Sequence, residues 1–251
     1  MAGEVATDRR IVILGGADVL PFLQGIVSND VLPLAHTPGI VWTALLNAQG
    51  KYLVDFFVVN TGAQLLLDLP SAFADTTLRR LAMYRLRADV MLSAADMAVT
   101  RGLGKAPADA LPDPRHPALG WRGYGPTGGP AAIDWDAIRV GEIIPETGIE
   151  LLPDDSYLLE MGFERLHGVD FRKGCYVGQE VTARMKHKTE LRKGLARVRI
   201  DGAVAVGTAV MASGKEAGVI YTQSGGKALA YLRFDRATGE MTAQDAQVWP
   251  D

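Results

Sequence analysis

One cysteine, Cys175, serves all 251 residues. A single thiol makes no internal disulfide, which fits a reducing compartment. Aromatic residues make up only 7% of the chain, and Trp42, Trp121, Trp135 and Trp249 are scattered, not interleaved with basic runs. They read as core or cavity walls, not as a base-stacking platform. The net charge of -3 lacks the strong positive field with which a nucleic-acid coat displaces counterions, so no direct nucleic-acid binding is expected. No apolar run approaches the roughly 18 residues that span a bilayer, so no membrane partner is expected. The residues up to Asp8 are acidic and lack an apolar core, unlike a secretory signal or an Arg-rich transit sequence; a cytoplasmic location is expected. No Gly-x-Gly-x-x-Gly follows the first strand and no Walker-type glycine loop occurs, leaving dinucleotide and P-loop readings unsupported. His36, His116, His167 and His187 show no metal-ligand spacing, and no stably bound metal is expected.

What the chain does have is a hydrophobic content of 48% with 22% charged residues, the composition of a globular protein. Arg10 to Leu14 reads as a strand. Asp18 reads as the cap of a short helix through Phe22, Leu23 and Ile26. Ile40 to Leu46, Tyr52 to Val59 and Gln64 to Leu69 form a meander whose first hairpin turns through Asn47-Ala48-Gln49-Gly50. Pro70-Ser71 opens a helix with Phe73, Leu78, Leu81, Ala82 and Met83 as apolar positions, and Arg87 to Leu92 returns as a strand. From Arg101 to Pro130, 13 of 30 residues are Gly or Pro, which reads as a linker or loop-rich crossing. Asp134 and Asp154 read as caps of two further helices, the second running through Tyr157, Leu158, Met161 and Leu166. Beyond Lys193, short glycine-punctuated strands at Leu195 to Ile200, Thr208 to Ala212, Ala217 to Thr222 and Ala228 to Phe234 predict a small antiparallel barrel or sandwich. The fold class is therefore α+β. The division expected is 1-100, an N-terminal α+β part; 101-193, the crossing with helices and the cysteine segment; and 194-251, the barrel.

The chemistry concentrates at Lys173-Gly174-Cys175-Tyr176-Val177-Gly178-Gln179-Glu180. A thiol stands between glycines, after a lysine and before a helix starting near Gly178, where a helix N-terminus and adjacent cations favour a thiolate. Lys173 and Arg184 could support that thiolate or an anionic partner, while Gln179 and Glu180 could orient groups at the helix start. Arg165, Arg172, Lys173, Arg184, Lys186, Lys188, Arg192 and Lys193 give the segment a basic surround, consistent with an anionic ligand. The other reading is a packed cysteine behaving as a small hydrophobe among solvated charges.

The run from Gly168 to Met185 resembles the signature of the YgfZ family, folate-binding relatives of the glycine-cleavage T-protein. Phe22 to Asp30, Leu45 to Lys51 and Tyr84 to Val90 agree in order. The resemblance implies a T-protein-like body around a folate-sized cavity, a C-terminal β-barrel, tetrahydrofolate or a derivative as cofactor, and iron-sulfur client or assembly proteins as partners, including enzymes that thiomethylate tRNA. Weak folate candidates are Asn29, Asn47, Asp55 and Tyr84. Two departures stand out. The T-protein's catalytic aspartate falls on Val54, followed by Asp55, and valine neither ionises nor donates a hydrogen bond, which argues against enzymatic aminomethyl transfer. The region of the T-protein's folate-clamping glutamate, carried there in a Gly-Phe-Glu segment, is read here as Gly120-Trp121-Arg122-Gly123-Tyr124. A cluster takes about four ligands, so Cys175 alone is expected to handle sulfur, a partner's cluster or an oxidised intermediate transiently. Three functions stay open: a folate-binding accessory factor for iron-sulfur proteins, a folate-dependent one-carbon transferase, and a thiol-independent scaffold.

Overall fold

The computed structural model describes residues 3–125, 128–187 and 190–251. Lys188, part of the expected basic surround, lies outside them. The contacts divide the chain into two units, Met1–Ile133 with Glu164–Gln179, and Asp134–Phe163 with Glu180–Asp251. This partition cuts across the boundaries read from sequence, because the chain leaves the first unit at residue 134 and returns to it at residue 164 with the cysteine segment.

The first unit begins with β1 (Gly3–Val5), β2 (Arg9–Gly15), α1 (Val19–Gln24) and a 3-10 turn at Leu32–Ala35. The meander follows as β3 (Gly39–Leu46), β4 (Tyr52–Asn60) and β5 (Leu65–Pro70), then α2 (Ser71–Arg85) and β6 (Met91–Ala94). These strands make one sheet of order β3-β4-β5-β2-β6, as the hairpin reading required. Next, β7 (Ala98–Gly102), β8 (Leu111–Pro112) and β9 (Trp121–Gly125) join β1 in a second sheet, ordered β1-β7-β9-β8. The glycine- and proline-rich stretch is therefore not a plain linker. Its short strands are built around the turns those residues impose.

Alternation along β4 decides where its side chains go, since successive residues of a strand face opposite sides. Val54, Phe56 and Val58 enter the core beside Leu20, Leu23, Leu67 and Leu81. Asp55 and Phe57 face the other way. Phe57 lies under the guanidinium groups of Arg122, Arg115 and Arg9, whose centres stand 4.2, 5.0 and 5.5 Å from the ring centroid.

Three local expectations fail for identifiable reasons. Asp18 does not cap α1; its carboxylate accepts instead from the Asp89 backbone N–H at 2.9 Å. On α2 the buried positions are Ala74, Thr77 and Leu81, while Met83 is 67% exposed. The helix expected after Asp154 is replaced by a chain of turns, for Asp154 and Gly162 both adopt positive φ (59° and 78°) that no α-helix continues through.

In the second unit, Asp134 caps α3 (Trp135–Glu142) as expected, accepting from the Ala137 N–H at 2.9 Å. After α4 (Gln179–His187) come β10 (Lys193–Asp201), β11 (Thr208–Ala212), β12 (Lys215–Ser224), β13 (Lys227–Arg233), β14 (Met241–Ala243) and β15 (Ala246–Pro250). They close into a barrel of order β10-β13-β12-β11-β14-β15, with Val198, Val210, Ile220, Ala230 and Val248 buried inside. Val140 of α3 packs against Tyr221 and Leu229 on the barrel's outer face. The Arg139 guanidinium bonds Glu150 at 3.0 Å and Thr222 at 2.9 Å, and gives the buried Glu150 carboxylate, which also accepts from the Glu146 N–H and from Thr222, a positive partner. The α+β class and the C-terminal barrel are as the sequence implied.

Candidate functional site

The cysteine segment is laced to two sequence landmarks within the first unit. On the N-terminal side, residues 167–173 run beside residues 24–30. Ser28, fully buried, donates through Oγ to the Gly168 carbonyl at 2.7 Å, and the Asp170 N–H donates to the Ser28 carbonyl at 3.1 Å. Asn29 donates through Nδ2 to the carbonyls of Trp42 at 2.8 Å and His167 at 2.6 Å. On the C-terminal side, Gly178 lies against the β3–β4 turn. A Cβ there would meet the Asn47 carbonyl oxygen at 2.6 Å and Leu46 Cβ at 2.9 Å, and its φ is +82°. Gly178 is required by close approach, whereas Gly174 (φ +95°) has nothing within 4 Å and is required only by conformation.

Cys175 is exposed, and Tyr176 behind it is buried. That removes packing as the reason for this cysteine. α4 begins at Gln179, whose Oε1 accepts from the Tyr176 N–H at 3.1 Å, so Gln179 braces the loop and does not reach toward a ligand. Lys173 is half-buried and its ammonium points into the fold. It donates to the carbonyls of Gln24 at 2.5 Å and Val27 at 2.8 Å. Burial lowers its pKa to about 8, while the carboxylates of Asp30 and Asp170 and the thiol of Cys175 pull it upward. Glu180 and Arg184 pair with each other at 2.7 Å on an exposed stretch of α4, their side chains 84% and 65% exposed. Of the basic surround, Lys173 and Arg184 thus each serve a partner of their own and do not share one anion site.

An open cavity of about 690 Å³ in this unit is walled by Trp42, Ile40 and Phe171, and carries Asn29, Asp30, Glu164, His167, Asp170 and Arg172. Three carboxylates against one guanidinium make it acidic, the opposite of what the local sequence charge implied. Of the four folate candidates, only Asn29 lines it. Asn47 Oδ1 is used within its own turn, accepting from the N–H groups of Gln49 and Lys51 at 3.0 Å each. Asp55 is buried, with Trp42 Nε1 donating to it at 2.7 Å and the Tyr52 hydroxyl at 2.6 Å. Tyr84 packs against the core, and Val54 belongs to it.

The Gly120–Tyr124 stretch does not face the cavity either. Arg122 donates to Asp68 at 2.6 Å, Tyr124 to the same carboxylate at 3.0 Å, and Arg9 to its other oxygen at 2.6 Å. Burial alone would raise the Asp68 carboxyl, but the two guanidinium groups hold it down at about 2. A Gly-Phe-Glu tripeptide does stand elsewhere, at Gly162-Phe163-Glu164, and was missed by the sequence reading. Phe163 is fully buried and Glu164 lines the cavity. Gln24 and Ser28 were missed as well, although both lie in the Phe22–Asp30 landmark. Among the described residues, no group of three or more His, Cys, Asp or Glu side chains is placed to hold a metal ion.

Comparisons with known proteins agree with this architecture. Residues 192–251 match the family described as CAF17, C-terminal beta-barrel domain. The chain is similar to the mitochondrial iron-sulfur cluster assembly factor IBA57 of Homo sapiens, 29% identical over 96% of this chain and 80% of that protein. The Mus musculus protein of the same name is 29% identical over 93% of this chain and 78% of its own length. The Mycosarcoma maydis IBA57 homolog is 32% identical over 74% of this chain, which spans about half of that relative (54%). Each of these relatives is mitochondrial by name, and this overturns the cytoplasmic location expected from the first residues, too short a stretch to carry that inference. In fold, the chain matches the crystal structure of glycine cleavage system aminomethyltransferase T from Bartonella henselae, with TM-score 0.76 over 98% of this chain and 83% of that one, at 13% identity.

Proposed function

We propose that this chain is a folate-binding accessory factor for the assembly or repair of iron-sulfur proteins, including those that modify tRNA, and that Cys175 is its working thiol. The observation that carries the reading is the exposed Cys175, presented by a loop that Lys173 and Gln179 brace on either side. A reachable thiol held in place suits transient handling of sulfur or of a partner's cluster, which one ligand could not retain. The names of the relatives support the iron-sulfur pathway. A one-carbon transferase is disfavoured, because Val54 is core and both Asp55 oxygens are engaged.

Folate is proposed as ligand of the acidic cavity. A reduced pterin ring would supply hydrogen-bond donors there, suiting the carboxylates of Asp30, Glu164 and Asp170, and Arg172 would take the carboxylates of the glutamate tail. Glu164, not the Gly120–Tyr124 stretch, is the position to test. Titration with tetrahydrofolate should give saturable heat, weakened in Glu164→Gln; a flat titration would remove folate from the reading.

The thiol is tested by complementation. Cys175→Ser, expressed in a strain lacking the factor, should fail to restore iron-sulfur enzyme activity and tRNA thiomethylation. Full rescue would sink the role given to Cys175.

A further inference from the structure

Lys173 stands where a counter-ion for the thiol was expected, yet its ammonium is committed elsewhere. It donates to two backbone carbonyls, of Gln24 at 2.5 Å and Val27 at 2.8 Å, and lies 4.8 Å from the Tyr176 ring centroid. The carbonyls at the end of a short helix lack intrahelical partners, and here a lysine 149 residues away in sequence supplies one of them at Gln24, the last residue of α1. Gln24 answers in the other direction. Its Nε2 donates to the Lys173 carbonyl at 3.2 Å, while its Oε1 accepts from the Val31 N–H at 3.1 Å. The bonds are therefore reciprocal, ammonium to carbonyl one way and amide to carbonyl the other.

We infer that Gln24 and Lys173 form a latch that fixes the chain on the N-terminal side of Cys175, making Gln24 a positioning residue for the thiol. The inference rests on the reading of Cys175 as the working group. Its physical basis is the contrast along the loop. Lys173 is tied down by the latch and Tyr176 is buried, whereas Gly174 and Cys175 between them are exposed and a Cβ at Gly174 would touch nothing within 4 Å. Where the thiol stands is set by the two flanking anchors, and the upstream one is a pair of side chains. Lys173 on this account positions the thiol through geometry, in addition to any attraction between its ammonium and Cys175.

The chain's single cysteine allows a direct test on the whole 251-residue chain. A methanethiosulfonate nitroxide attached to Cys175 reports the mobility of the loop in its electron paramagnetic resonance spectrum. Gln24→Glu keeps an oxygen for Val31 and replaces the donor to Lys173 with a charged carboxylate; Gln24→Met removes both groups without adding charge; Lys173→Met removes the ammonium and keeps the stem. Loss of one such bond is worth up to about tenfold in a local equilibrium, so each variant should raise the mobile fraction of the spectrum roughly twofold to tenfold. The Gln24→Met/Lys173→Met double variant should move it further than either single, because each single leaves the other side chain's bond to backbone in place. Melting midpoints close to the parent's would show that the fold is intact. If Lys173→Met does not fold, Gln24→Met decides alone.

Unchanged spectra in the Gln24 variants would overturn the latch. So would a Lys173→Met variant whose thiol alkylates more slowly while the Gln24 variants stay at the parental rate, for that is the signature of a counter-ion. Complementation by Cys175→Ser is a separate matter: full rescue with responsive spectra would remove the proposed function and leave the latch standing.

Discussion

The carbonyl oxygen of Asn47 occupies the space that a side chain on Gly178 would need, 2.6 Å from the ideal Cβ position. Gly174, four residues earlier, shares a positive φ but has open space around it. Gly174→Ala should therefore cost only the conformational penalty, about 1–2 kcal/mol. Gly178→Ala adds a backbone overlap and should cost roughly 2–5 kcal/mol. Urea unfolding of the two variants side by side checks the ranking, and equal losses would contradict it.

Asp68 serves Arg9, Arg122 and Tyr124 together in a fully buried setting. Asp68→Asn leaves Arg9 without its carboxylate and Arg122 with only Asp113, 3.5 Å away, and should destabilise the protein by about 3–5 kcal/mol. The pH dependence has a definite sign. The folded carboxyl sits at about 2 against an ordinary 3.8, so the unfolded chain takes up a proton first as pH falls. This contribution is complete above the unfolded value and is lost as pH falls from 3.8 toward 2. Chemical unfolding between neutral pH and that window should show a smaller acid-induced loss in Asp68→Asn than in the parent.

Lys173 titrates on the other side of neutrality. Burial brings it to about 8 from 10.5, against the attraction of Asp30, Asp170 and Cys175. In the interval between those values the unfolded chain holds a proton that the folded one has released, so this group makes folding more favourable as pH rises through the interval. Lysine-selective NMR should show one side chain titrating near 8, absent in Lys173→Met. Asp30→Asn and Asp170→Asn should each move the midpoint lower, since each removes an attraction for the charged form.

Restoring an acid at position 54 should not restore one-carbon chemistry. Val54 is 4% exposed and packs with the hydrophobic core, so Val54→Asp buries a carboxylate with no partner on that face of β4. The expected outcome is a loss of soluble, cooperatively folding protein, read from a melting curve. A stable Val54→Asp variant with tetrahydrofolate-dependent turnover would reinstate the transferase.

The meander, α2 and four of the barrel strands were legible because alternation, glycine turns and a Pro-Ser start are local signals. β14 and β15 were not, since three- and five-residue strands around Gln244-Asp245 gain their identity only by closing the barrel. At the site, the sequence singled out Cys175 and its brace Gln179. It read a basic surround where the cavity is lined by three carboxylates and one guanidinium, because summing nearby charges along the chain ignores which ones the fold turns toward a given space. Asp30, close to Gln24 in sequence, and Asp170, close to Lys173, meet the same ammonium only through tertiary folding. The Phe22–Asp30 landmark carried the missing partners, but nothing local tells a latch from an ordinary helix end.

Closure of β15 onto β10 has a bearing on how this protein can meet others. Among the described residues the ring of strands has no free edge strand for an incoming strand to zip onto, its narrowest seam being the β11–β14 pairing at Met211 and Thr242. Whatever engages the second unit must read side chains and loops. In the first unit the outer edge of β3 is already bonded by residues 27–29, and the Gly3 carbonyl of β1 accepts from the Ala131 N–H, so among the described residues β6, the other end of the larger sheet, is where main-chain pairing with a partner is geometrically available.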